Sequence, residues 1–91
     1  MPKEELISII SKSYSNFRSE DVVKISDLGN LKVLELYHGP TLAFKDIAMQ
    51  LIGNLYQYHL GNEQAKINII VATSGDTGAA AIDALKGKKN L

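Results

Sequence analysis

Lys45 closes the run His38-Gly39-Pro40-Thr41-Leu42-Ala43-Phe44-Lys45-Asp46, in which a hydrophobic segment enters a Gly-Pro turn and an amphipathic helix begins. A lysine amine forms Schiff bases with carbonyl groups, and does so best where burial and neighbours lower its pKa. A cation at a helix N-terminus also opposes the macrodipole, whereas a neutral imine nitrogen is tolerated there. A lysine in a first helical turn serves equally well as an ordinary surface charge, so position alone leaves both roles open. A second cluster, Thr73-Ser74-Gly75-Asp76-Thr77-Gly78, packs three hydroxyls and two glycines around one carboxylate. Backbone N–H groups point out of a helix's first turn, glycine lets an anion approach them, and Ser and Thr add neutral donors. The loop suits a carboxylate or phosphate, and a simple cap with a tight turn needs fewer of these residues. It lacks the Gly-Lys-Ser/Thr end of a Walker loop and is not Gly-x-Gly-x-x-Gly. Asp76 complements a helix start, and it can also orient a hydroxyl or amine or accept from a phenolic or pyridine group.

The two histidines divide differently. His38, just before the Gly-Pro turn, invites a general-base role, but a histidine at a strand end more often makes a backbone hydrogen bond. His59 falls late in a helix, where it complements the dipole. No spacing of His, Asp or Glu suggests a metal site.

These residues need elements to position them. Leu6, Ile9, Ile10 and Tyr14 recur at helical spacing and predict a helix over 3–14, with Phe17 extending its stripe. Asp27-Leu28-Gly29-Asn30 is a turn signal. Val33, Leu34, Leu36 and Tyr37 predict a strand near 32–37, stopped by Gly39-Pro40. Phe44, Ala48, Leu51, Ile52 and Leu55 fall on one face of a helix over 43–60, with Asp46, Gln50, Asn54 and Gln57 opposite. That helix is expected to lay its apolar side on a sheet and to stop at Gly61-Asn62. Ile67–Ala72 reads as a strand buried on both faces, followed by a helix through Leu85 that Ser74 can cap and Gly87 can end. The order α-β-α-β-α predicts an α/β fold: a partial parallel sheet with flanking helices, the strands joined by a right-handed crossover. Residues 1–30 form a helical lead-in and 31–91 a βαβα unit. Both strand-to-helix turns then lie at the carboxyl edge, where open α/β sheets place ligands. Two strands make a poor sheet, so the chain reads as a piece of a larger layer whose open edge offers a surface for self-association.

Composition narrows the class. The chain has 91 residues, 45% of them hydrophobic, with ten basic and ten acidic side chains that cancel. This suits one small domain and gives no general attraction to nucleic acid or an anionic membrane. Apolar runs are too short for a membrane span, and the acidic start lacks the apolar core of a signal peptide. Cysteine is absent, which excludes disulfides and thiolate metal sites and fits a reducing, cytoplasmic setting.

Leu36-Tyr37-His38-Gly39-Pro40-Thr41-Leu42-Ala43-Phe44-Lys45-Asp46 resembles the pyridoxal-phosphate lysine motif of the threonine synthase family. Ala72-Thr73-Ser74-Gly75-Asp76-Thr77-Gly78-Ala79-Ala80 resembles the same family's substrate-anion loop, at the expected distance downstream. The resemblance covers residues 31–85 and extends more loosely to the first helix. Serine/threonine dehydratases and cysteine synthases usually carry Ser where this chain has Ala43, and the two full strings argue against them. The resemblance implies a fold-type II pyridoxal-phosphate enzyme of two α/β domains with pyridoxal 5'-phosphate between them. This chain would be a truncated fraction of it, inactive alone. It also implies a carbon–oxygen lyase acting on phosphates, which takes O-phospho-L-homoserine and water to L-threonine and phosphate. Lys45 would hold the cofactor as an internal aldimine and then shuttle protons at Cα and Cβ. Phe44 would pack beside the cofactor, Asp76 would lie near its ring hydroxyl, and Thr73, Ser74 and Thr77 would hold substrate anions. The groups binding the cofactor phosphate and pyridine nitrogen would come from the remainder of the enzyme.

Overall fold

The structure, a computed structural model, describes residues 1–60 and 68–88. Helix α1 spans Lys3–Tyr14, with Glu4 and Glu5 in its first turn and Lys12 in its last, both signs complementing the dipole. Of its predicted stripe Ile9 is buried, while Leu6 and Ile10 stay exposed. Phe17 is buried just beyond, its ring edge-on to Tyr14 at 5.3 Å.

The α/β class holds, but its sheet is not the predicted one. Strands β1 (Lys24–Asp27) and β2 (Lys32–Glu35) pair antiparallel, with Ile25 opposite Leu34 and Ser26 opposite Val33. Leu28 N–H donates to the Leu31 carbonyl at 2.8 Å, and Gly29 takes φ +82°, the conformation a two-residue hairpin loop asks of its first residue. The turn signal at 27–30 was thus the tip of a hairpin rather than the lead-in to a lone strand. The expected strand at 67–72 does not form at 68–72, and the parallel pairing with 32–37 is absent among the described residues; Ile67 lies outside them, as does the Gly61-Asn62 stop. A hairpin closes with a minimal loop, whereas a parallel pair needs a long crossover, and here the local pairing takes one edge of β2. Ile70 is 95% exposed, as expected of a β-branched run without a neighbouring strand. The observed order is therefore α-β-β-α-α.

Helices α2 (Asp46–Leu60) and α3 (Asp76–Leu85) form the centre with α1. The face that α2 buries reverses the expectation. Asp46, Gln50, Gly53 and Asn54 are buried, while Ile52 and Tyr56 of the apolar side are exposed and line an open concavity with Leu55 and His59. The reason is that α1 and α3, not a sheet, cover α2, and they do so through polar and small residues. Asn54 Nδ2 donates to Ser13 Oγ of α1 at 3.0 Å, and Gln50 Nε2 donates to Asp83 Oδ2 of α3 at 2.8 Å. These bonds offset part of the cost of desolvating the amides; Asn54 Oδ1 stays buried without a partner among the described residues. Gly53 lets the Ala84 backbone approach, and Gly78, Ala80, Ala81 and Ala84 are the buried residues of α3.

Candidate functional site

The segment before α2 is held as two successive turns. Leu42 N–H donates to the Gly39 carbonyl at 3.1 Å, and Asp46 N–H to the Ala43 carbonyl at 3.1 Å. Between them Leu42 takes φ +67°, a left-handed conformation that a branched side chain rarely adopts. This turn delays the helix to Asp46, later than its apolar pattern suggests. Asp46 has no exposed surface, and its carboxylate accepts from Thr41 N–H at 2.9 Å and from Thr41 Oγ1 at 2.7 Å. Gly39 passes so close to Asp46 that a Cβ there would collide with its side chain. From behind, Tyr14 Oη donates to the Ile47 carbonyl at 2.8 Å, tying the end of α1 to the first turn of α2.

Lys45 rides on this frame. Its side chain is half-buried, with Nζ 5.2 Å from the centroid of the exposed Phe44 ring. Among the described residues the amine has no salt-bridge partner. An amine presented this way is available to a carbonyl group rather than committed to a carboxylate.

The hydroxyl turn is differently built. Ser74 does not cap α3. Gly75, at φ +144°, stands at the N-cap, and no side chain caps the helix. Thr73 Oγ1 instead accepts from Gly75 N–H at 3.3 Å, and its methyl packs where a Cβ on Gly78 would sit. The backbone N–H groups of Asp76, Thr77 and Gly78 therefore keep no acceptor among the described residues. Ser74 and Asp76 are exposed and Thr77 half-buried. Gly87, at φ +72°, ends the helix as its type suggests.

The contacts Gln50–Asp83 and Gly53–Ala84 rise together along both helices. Lys88, beyond α3, has its ammonium pKa lowered by burial and by the nearby charge of Lys12, which shares a shallow concavity with Asn54 and Gln57. Helices α2 and α3 therefore run in the same sense, and their N-termini, bearing Lys45 and Asp76, lie toward one end. No hydrogen bond or salt bridge among the described residues joins the two turns directly.

His38 is committed elsewhere. Its ring Nε2 pairs with Glu35 Oε1 at 2.9 Å, half-buried, and its carbonyl accepts from Arg18 N–H at 2.7 Å. The Glu35 carboxylate also accepts from Ser26 and pushes the exposed Tyr37 hydroxyl pKa up through its charge. His59 lies exposed in the last turn of α2. The residue that motif reading passed over is Asp46, assigned to the solvent face of its helix. The available signal was Thr41, whose hydroxyl and amide stand one loop ahead of that carboxylate.

Donor chemistry fits pyridoxal phosphate where these residues are concerned: an uncommitted primary amine beside an aromatic face, and a helix start whose N–H groups are free for an anion.

No family model matches the chain. Threonine synthase from Saccharomyces cerevisiae is 45% identical over 104 aligned positions, covering all of this chain and 20% of the relative. Human threonine synthase-like 2 is also 45% identical, over 92 positions and 19% of its length. The crystal structure of pyridoxal-phosphate-bound threonine synthase from Brucella melitensis matches with TM-score 0.88 and 43% identity, covering 98% of this chain and 19% of that one. The chain spans about one fifth of the length of these relatives. Along its whole length it is homologous to threonine synthases and threonine synthase-like proteins.

Proposed function

We propose that this chain is the lysine-bearing segment of a cytoplasmic threonine synthase that converts O-phospho-L-homoserine and water to L-threonine and phosphate. The observation that carries this is the pairing of an uncommitted Lys45 with an uncapped α3 start at the same end of two helices running in the same sense. Pyridoxal phosphate, when bound, supplies the electron sink. Lys45 Nζ would hold it, and as a free amine would take and return protons at the substrate's Cα and Cβ. Phe44 packs beside the ring, and Asp76 orients the ring hydroxyl. Thr73, Ser74 and Thr77, with the free N–H groups of the α3 turn, hold the substrate's anionic groups and keep them oriented while the phosphate departs. Groups outside these 91 residues hold the cofactor phosphate and the pyridine nitrogen, so the chain by itself turns nothing over.

The test is borohydride reduction of the cofactor-loaded full-length protein followed by peptide mapping, with phosphate release from O-phosphohomoserine measured alongside. A label on Lys45 and threonine as product support the reading; a label elsewhere sinks it. The alternative reading is another pyridoxal-phosphate enzyme of the same build with another product, such as a dehydratase or a β-replacing synthase. Product analysis separates the two. Self-association through the outer edge of the hairpin would show as a concentration-dependent mass of the isolated chain.

A further inference from the structure

We infer that Asp46 is a positioning residue, whose buried carboxylate clasps Thr41 and thereby sets the turn that presents Lys45. An acidic side chain in a helix's first turn ordinarily serves that helix, complementing its dipole or accepting from its own N–H groups. Asp46 does not accept from its helix. Both oxygens reach back across the loop, Oδ2 to Thr41 N–H at 2.9 Å and Oδ1 to Thr41 Oγ1 at 2.7 Å. A carboxylate without exposed surface is costly to desolvate, so a solvent-facing turn alone gives no reason to bury it.

Its surroundings are shaped around it. Gly39 has no room for a Cβ because Asp46 fills the space, and Leu42 is held left-handed between the two ends of the clasp. A non-glycine residue in that conformation persists only where neighbouring structure over-determines it. Lys45 is covalently next to Asp46 yet makes no salt bridge with it. The carboxylate thus fixes the backbone on either side of the amine while leaving the amine free.

This role rests on the function proposed above, and the test separates the two. In the full-length protein, Asp46→Asn and Thr41→Val each remove part of the clasp, while Thr41→Ser keeps both donors. Two quantities are read: hydrogen exchange of the peptide covering 39–45 without cofactor, and capture of pyridoxal phosphate on Lys45 as the borohydride-fixed mass. For Asp46→Asn and Thr41→Val, exchange accelerates and capture affinity falls by about tenfold, the scale of one hydrogen bond to a charged group; Thr41→Ser restores both. Accelerated exchange with unchanged capture overturns the positioning role, as does unchanged exchange. Should Asp46→Asn fail to fold, the Thr41→Val and Thr41→Ser pair decides alone. Failure of the unaltered protein to capture cofactor on Lys45 overturns the functional reading, and this role with it.

Discussion

Replacing Gly53 with alanine tests the helix crossing on which the site depends. A methyl at Gly53 would lie 2.7 Å from the Ala84 carbonyl oxygen and 3.3 Å from its carbon, where ordinary contact begins near 3.4 Å. The obstacle is backbone, so no rotamer change relieves it, and α3 must retreat by about 0.7 Å, the difference between the oxygen's distance and ordinary contact. If the retreat is carried whole to the neighbouring pair, the Gln50–Asp83 bond lengthens from 2.8 Å to about 3.5 Å, where little of it survives. Alanine favours a helix interior over glycine by about 1 kcal/mol. Overpacking costs about 1–3 kcal/mol, and loss of the side-chain bond adds about 1 kcal/mol. The balance is a destabilisation of about 1–3 kcal/mol, or about 5- to 150-fold in the local opening equilibrium. Hydrogen exchange of peptides covering α2 and α3 in the full-length protein should accelerate by that factor. Unchanged or slower exchange in both helices would refute the crossing as described.

Three further outcomes are expected. Under the proposed function, Ser74→Ala and Thr77→Ala should each raise KM for the phosphorylated substrate by about tenfold while leaving the borohydride label on Lys45 intact, since that reading sets them on the anion and not the amine. At Leu42, glycine should be close to neutral in denaturant titration, relief of the left-handed strain being offset by a looser unfolded chain, whereas isoleucine should destabilise by more than about 1 kcal/mol. Lys88 has a folded-state pKa lowered by burial and by Lys12, so the unfolded chain binds more protons between that pKa and the ordinary lysine value of 10.5. Stability at this site should therefore rise with pH through that window, and Lys88→Met should flatten the rise in a pH series of thermal melts.

The turn carrying Lys45 and the three helices were legible because their signals are local: Gly-Pro, a small-residue hydroxyl run, and apolar residues at helical spacing. Strand β1 was not, since Lys24-Ile25-Ser26-Asp27 offers a single apolar residue and becomes a strand only by pairing with β2. The buried face of α2 was misjudged for a sharper reason. Amphipathicity says which face can be buried against something apolar; it is silent on neighbours that bring their own acceptors. Ser13 and Asp83 accept from the side-chain amides of Asn54 and Gln50, and the polar face goes inside. Asp46 escaped notice likewise, because its partner lies in the loop and not on the helix.

A helix packed through leucines alone can slip along its neighbours at modest cost, one greasy contact being much like the next. The seam of α2 allows no such slippage. Moving it by one turn, about 5.4 Å, would carry Asn54 past Ser13 and Gln50 past Asp83 together, leaving both amide nitrogens without these partners. The polar pairs thus work as the teeth of a lock, and they set how far the helix protrudes toward the end where Lys45 sits. The axial position of Lys45 is tied to a serine hydroxyl on one helix and an aspartate carboxylate on another.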